Sequence, residues 1–205
     1  WLERKHLATL IAMTESAKAV SRDKAAVVIG GGMGRSEEVQ EAILEYLSQV
    51  KIPVVIDADA IHAVAKRPEI IAGRNFLITP HTYEFFVLTG KEIYQLPDEE
   101  KIKVVEAEAQ RLQTTILLKG KLDIISNGKE TAVDKVGTPY MTVGGCGDTL
   151  AGICGALLAR GVGAFEAAQA SAFINGKAGE IAAKELGEGM TATDLIEAIP
   201  EVLRF

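Results

Sequence analysis

The stretch Val143-Gly144-Gly145-Cys146-Gly147-Asp148-Thr149-Leu150-Ala151-Gly152 decides how the rest of the chain is read. An extended, β-prone approach, Tyr140-Met141-Thr142-Val143, runs into closely spaced glycines, and a helix-compatible apolar run follows from Thr149 to Arg160. Glycine lets the backbone turn sharply because no Cβ is in the way. The start of the following helix leaves several N–H groups unpaired, and the positive end of its dipole attracts an anion. Asp148 stands at that helix start, where a carboxylate is favoured and lies beside any phosphate held by the loop. Amides that stabilise charge, next to a carboxylate that accepts a hydroxyl proton, are the parts of a phosphoryl-transfer site. The same residues also fit a packing turn with Asp148 as a plain helix-start residue, and spacing alone leaves both readings open.

Upstream of this stretch the chain alternates short apolar runs with helical patterns. Ala25-Ala26-Val27-Val28-Ile29 and Ile52-Pro53-Val54-Val55-Ile56-Asp57 read as strands buried on both faces of a parallel sheet. Arg74–Thr79 reads as a third strand and Thr114–Lys119 as another. The first strand ends in Gly30-Gly31-Gly32-Met33-Gly34-Arg35, and a helix follows from about Ser36 to Ser48, with Ser36 as N-cap and two glutamates in its first turn. A dinucleotide-binding fingerprint needs a third glycine where Arg35 stands, so a tight turn or a loop lining a shared ligand cleft is the stronger reading.

Ligands of open α/β sheets gather at the carboxyl ends of strands, which directs attention to Asp57, Asp59 and His81. Asp59 reads as the N-cap of a helix Ala60–Lys66, and Asp57 as a group that helps hold Mg²⁺ through water near phosphates. Pro80 stops the third strand so that His81 projects at the sheet edge, and Thr82 is expected to cap a short helix ended by Gly90. A helix from Asp98 to Gln113 follows. Asn127-Gly128 between Leu122–Ser126 and Glu130–Val133 is a hairpin signal, so an antiparallel element joins the sheet. Lys119-Gly120-Lys121 places a flexible turn and two ammonium groups at a strand end, either as a solvated turn or as a nucleotide-phosphate contact.

The remaining segments read as packing. Residues 2–19, with Leu7, Leu10, Ile11 and Ala19, form a modest amphipathic helix. Thr149–Arg160 is apolar nearly all round, with Gly152 and Gly155 permitting close approach of a neighbour and Cys154 in the core. Phe165–Leu186 is a helix in which Asn175 and Lys177 are packing partners, and Thr191 with Asp194 has capping-box-like spacing at the start of a last helix. Cys146 is a thiol whose pKa a helix start can lower, but no His lies near it in sequence and no nucleophilic role is expected.

Composition bounds the class. The 205 residues are 48% hydrophobic and 24% charged, as in one globular domain with a substantial core. A net charge of −6 without a basic run argues against nucleic-acid binding, and no apolar stretch reaches membrane-spanning length. The two cysteines form no CxxC pair or His/Cys cluster, so a reduced cytoplasmic protein without structural zinc is expected. The chain begins at Trp1 rather than Met, as a fragment or trimmed product would.

The ordered set Val28-Ile29-Gly30-Gly31-Gly32-Met33-Gly34-Arg35, Asp57-Ala58-Asp59-Ala60, Leu77-Ile78-Thr79-Pro80-His81 with Glu84-Phe85, Leu118-Lys119-Gly120, Thr142 to Asp148, and Thr193-Asp194-Leu195-Ile196 resembles the ADP-dependent NAD(P)H-hydrate dehydratases of the ribokinase-like superfamily. The resemblance runs from about Ala25 to the end. It implies a three-layer α/β/α fold with a mostly parallel central sheet and a small antiparallel hairpin. It also implies repair of hydrated NADH and NADPH: ADP phosphorylates the substrate hydroxyl, AMP is released, and loss of phosphate restores the nicotinamide.

Carried onto these positions, Asp148 is the base, and the amides of Gly145, Cys146 and Gly147 form the anion hole. Gly32, Gly34, His81 and Asp148 contact the hydrated dinucleotide. Lys119, Gly120, Lys121, Leu122, Asp123 and Gly147 line the ADP (or ATP) site. Mg²⁺ and a homotetramer are implied as well, without assigned metal ligands. The family usually has Gly-Pro-Gly-Leu-Gly where this chain has Gly31 and Met33, Ser or Thr at Cys146, and Pro-Gly-Glu at Thr82-Tyr83-Glu84. Residues 1–24 do not match the strand–helix–strand portion with which the family begins, so a single domain lacking that portion is expected. Two other functions share these residues: a superfamily kinase acting on an alcohol, and a nucleotide-binding module without catalysis.

Overall fold

The computed structural model describes residues 2–204, with side chains from Ala8 onward. Leu7, expected on the first helix, lies outside the described side chains. Six strands form one sheet in the order β1 (Val27–Ile29), β2 (Val54–Ile56), β3 (Phe76–Ile78), β4 (Thr115–Leu118), β5 (Asp123–Ser126) and β6 (Thr131–Asp134). Strands β1 to β4 are mutually parallel, and β5 and β6 add antiparallel. The helices are α1 (Leu2–Ser21), α2 (Glu37–Gln49), α3 (Ala58–Val64), α4 (Thr82–Thr89), α5 (Asp98–Leu112), α6 (Cys146–Ala159), α7 (Ala164–Leu186) and α8 (Ala192–Val202).

The alternation of strand side chains makes three layers out of apolar runs. Val54, Ile56, Phe76, Ile78, Ile116 and Leu118 point to one face, into a core built with α2, α3, α4 and α5. Val55, Leu77, Leu117 and Ile125 point to the other, against α6 and α7. A smaller cluster of Cys146, Ala178, Ala182, Met190, Leu195 and Ala198 packs the start of α6 against α7 and α8.

Most local expectations are met. Ser36 Oγ accepts the Val39 amide at the start of α2, Gly90 ends α4 in the left-handed region, and Thr191 pairs with Asp194 at the start of α8. Cys154 is fully buried. Four expectations are corrected. Strand β1 is an edge strand, so Val28 is 46% exposed instead of buried on both faces. Tyr140–Thr142 is not extended: Pro139 presets φ for a 3₁₀ turn over Pro139–Thr142, and Thr138 Oγ1 accepts the Tyr140 amide. The helix expected from Thr149 starts at Cys146, because Gly145 takes φ +98° and caps it. Of the two glycines in that helix, only Gly155 is a close contact, against Val28; Gly152 faces open space.

Candidate active site

The carboxyl ends of β1 to β4 are stitched together just beyond the strands. The amides of Asp57, Thr79 and Lys119 donate to the carbonyls of Ile29, Ile56 and Pro80 at 3.0, 3.1 and 2.8 Å. This places Asp57, His81 and Lys119 along one edge. Lys119 Nζ donates to Asp57 Oδ1 at 2.7 Å and lies 3.8 Å from Glu84 Oε2. Thr79 Oγ1 donates to the same Asp57 oxygen at 2.9 Å. Asp57 and Glu84 are 5% and 4% exposed, so Lys119 is the cation that balances two buried carboxylates.

Asp57 Oδ1 is thus engaged by both Lys119 and Thr79. Among the described residues no group of three or more His, Cys, Asp or Glu side chains is arranged to hold a metal ion.

Across from this edge stands the start of α6. Its first intrahelical bond runs from the Thr149 amide to Gly145 O at 2.9 Å, so the amides of Cys146, Gly147 and Asp148 have no partner within the helix. A Cβ on Gly147 would lie 3.7 Å from Lys119 Nζ, and one on Gly31 would lie 2.9 Å from Asp148 Oδ1. The two glycine loops therefore meet at Asp148, and the Lys119 ammonium closes the same space from the sheet side. Asp148 is exposed and turned to this cleft. The arrangement can hold an oxyanion between free amides and an ammonium, with a carboxylate beside it to take a proton.

Cys146 turns its side chain to the interior. Its side chain is 4% exposed in the small cluster with Met190 and Leu195, and burial pushes the thiol pKa up, which overturns the expectation of a lowered value.

The first glycine loop is set by Asp59. Helix α3 begins at Ala58, so Asp59 is not the N-cap; its carboxylate accepts the Gly34 amide at 2.8 Å and Arg35 Nε at 2.7 Å. The Arg35 guanidinium holds the Asp59 carboxyl below its ordinary pKa. The Gly34 amide is therefore engaged by protein, while Gly32 and Gly34 both have open space where a Cβ would stand.

His81, not Thr82, caps α4. Its Nδ1 accepts the amides of Tyr83 and Glu84, both at 3.2 Å, and Glu84 Oε2 accepts the His81 amide at 2.8 Å. His81 Nε2 lies 3.4 Å from Glu84 Oε1.

Residues 119–123 divide. Lys119 reaches the anion-binding space, Gly120 and Lys121 are exposed, and Leu122 is half-buried with its side chain against the core. Asp123 Oδ1 accepts the Gly120 amide at 2.8 Å and so shapes the turn. Sequence reasoning missed the ion partners of Lys119 and the Arg35–Asp59 pair. The spacing of His81 and Glu84, cap and third helical residue, was the available signal for Glu84.

Comparison with known proteins extends the agreement over the chain. The sequence pattern of NAD(P)H-hydrate dehydratase matches residues 3–201, reaching back past Ala25 to the first helix. A bifunctional NAD(P)H-hydrate repair enzyme of Pyrobaculum aerophilum is 42% identical over 205 residues, covering 99% of this chain and 39% of its own length. An ADP-dependent (S)-NAD(P)H-hydrate dehydratase of Nitrosopumilus maritimus is 38% identical over 174 residues, covering 84% of this chain and 60% of its own. The crystal structure of the ADP/ATP-dependent NAD(P)H-hydrate dehydratase from Bacillus subtilis, co-crystallised with ATP and Mg²⁺, superposes with a TM-score of 0.73 at 27% identity, over 87% of this chain and 63% of that one. This chain is shorter than each of them. With the pattern matched nearly end to end, it belongs to the NAD(P)H-hydrate dehydratase family.

Proposed function

We propose that this chain carries the phosphoryl-transfer and elimination chemistry of an ADP-dependent NAD(P)H-hydrate dehydratase. The observation that carries the reading is the meeting of Asp148, the open amides at the start of α6 and the Lys119 ammonium around one space. Asp148 takes the proton of the hydroxyl on the hydrated ring, and that oxygen attacks the terminal phosphoryl of ADP. The bond to AMP breaks. The amides of Gly145, Cys146 and Gly147, with Lys119, stabilise charge on the transferred group. Phosphate then leaves as the neighbouring ring carbon loses a proton, so hydrated cofactor and ADP become reduced cofactor, AMP, phosphate and one proton.

His81 and the glycines at 32 and 34 border the dinucleotide on the other side. Residues 119–123 border the nucleotide, with Lys119 the member that meets its phosphates. Mg²⁺ belongs with those phosphates, where it neutralises charge, because the described residues offer it no cage of their own. No helix among the described residues is long and apolar enough to cross a membrane. A cytoplasmic homotetramer rests on the family resemblance.

The test incubates the protein with hydrated NADH, Mg²⁺ and ADP or ATP, and follows return of the reduced-nicotinamide absorbance. Asp148→Asn is expected to lower kcat by about 10²–10⁴-fold while leaving ADP affinity near wild type, since it removes only the proton acceptor. Turnover that survives this change overturns the assignment. A stable phosphate ester in place of restored cofactor identifies a superfamily kinase.

A further inference from the structure

Outside the space around Asp148, the described residues carry a group of four neighbouring rings. Tyr83 is 59% and Phe86 45% exposed, one helical turn apart on α4, with ring centroids 6.5 Å apart. His81 lies 6.4 Å from Tyr83 with its ring inclined by 29°, and His62 of α3 lies 6.3 Å from Tyr83 with its ring inclined by 47°. Single exposed apolar side chains are ordinary on a protein surface; contiguous rings joined to a ligand cleft are not.

We propose that Tyr83, flanked by His62, His81 and Phe86, is a stacking platform for the adenine ring of the hydrated dinucleotide. The inference rests on the functional reading above and adds a subsite to it.

Three observations select a planar, uncharged base as the occupant. The platform continues outward from His81, whose neighbour across the sheet edge is Lys119 beside the anion-binding space. In the functional reading above the reacting nicotinamide sits at Asp148, so Tyr83, next to His81, is placed for the far half of the same ligand. His62 has a buried Nε2 without a hydrogen-bond partner, and burial pulls its pKa below the ordinary value, so it offers a neutral face. Arg35, half-exposed and bound to Asp59, is close enough to act on His62 and so places a guanidinium beside the same rings. Stacking of a base on an aromatic side chain is tolerant of the base and needs an accessible ring, and Tyr83 is the more exposed of the two large rings here.

The test measures binding of hydrated NADH, and of the hydrated reduced nicotinamide mononucleotide that lacks adenosine, by calorimetry on the whole chain and its variants. Tyr83→Ala is expected to weaken hydrated NADH by about tenfold, Tyr83→Phe to leave it unchanged, and neither to alter the mononucleotide. Unchanged affinity of Tyr83→Ala for hydrated NADH overturns the platform while the catalytic reading stands. Equal losses for both ligands place Tyr83 against the nicotinamide and overturn the adenine assignment. A wild-type chain that binds neither ligand overturns the functional reading and the platform together.

Discussion

Asp123 braces the turn at Gly120 with a carboxylate that burial works against. Desolvation pushes its pKa up to about 6; the Gly120 amide pulls down, and the nearby Asp134 adds to the rise. A folded-state pKa above the ordinary 3.8 means that the folded chain holds this proton more tightly. Its contribution is therefore most favourable below about pH 4 and is lost as pH climbs through about 6. Asp123→Asn keeps an oxygen to accept from Gly120 and removes the charge. The variant is expected to match wild type near pH 4 and to exceed it by about 1–3 kcal/mol at pH 7, read from urea midpoints across that range. A difference that does not change with pH assigns the effect to packing. Legibility at this scale follows the same division of local from non-local. Asp148 is readable because the glycines and the helix start that present it are its neighbours in sequence. The Lys119–Asp57 pair, 62 residues apart, exists only once the sheet has ordered its strands.

The strands and helices were mostly legible because burial on both faces turns strands into continuous apolar runs, and caps mark helix starts. What failed at the element scale was position. Nothing in Val27-Val28-Ile29 says that it lies at the sheet edge, and the β-prone Tyr140–Thr142 becomes a helical turn because Pro139 and Thr138 start one. Glycines divide in the same manner. Gly30 has φ +128°, and a Cβ there would stand 1.8 Å from the Asp57 carbonyl oxygen, so the turn from β1 and the start of α3 share one backbone contact. Gly152, in mid-helix, has open space and ordinary φ. Gly30→Ala is expected to cost about 3 kcal/mol or more, from overpacking and strain together. Gly152→Ala is expected to stabilise by about 0.5–1 kcal/mol through helix propensity. Thermal melts of the two variants check both signs, and similar shifts for both would contradict the backbone contact at Gly30.

The whole molecule balances two apolar cores against one buried polar seam, and the seam is where ligand and stability meet. Lys119 ties β4 to Asp57 after β2 and to Glu84 in α4, and it faces the space at Gly147. Lys119→Met leaves two buried carboxylates without a cation, a defect of about 3–5 kcal/mol, which in a chain of this size lowers Tm by about 10 °C. Asp57→Asn alongside it removes one of those charges and is expected to recover much of the loss. Ligand-dependent stability separates the two roles of the lysine. ADP at about a hundredfold its Kd adds about 2.7 kcal/mol to the wild type, hence a rise in Tm of about 5–10 °C. The double variant regains its fold but has no ammonium to offer a phosphate, so its rise with ADP is expected to stay well below that of wild type. Should the double variant gain as much from ADP as the wild type does, Lys119 is a tether between strands, and the charge on the transferred group is met by the amides of α6 alone.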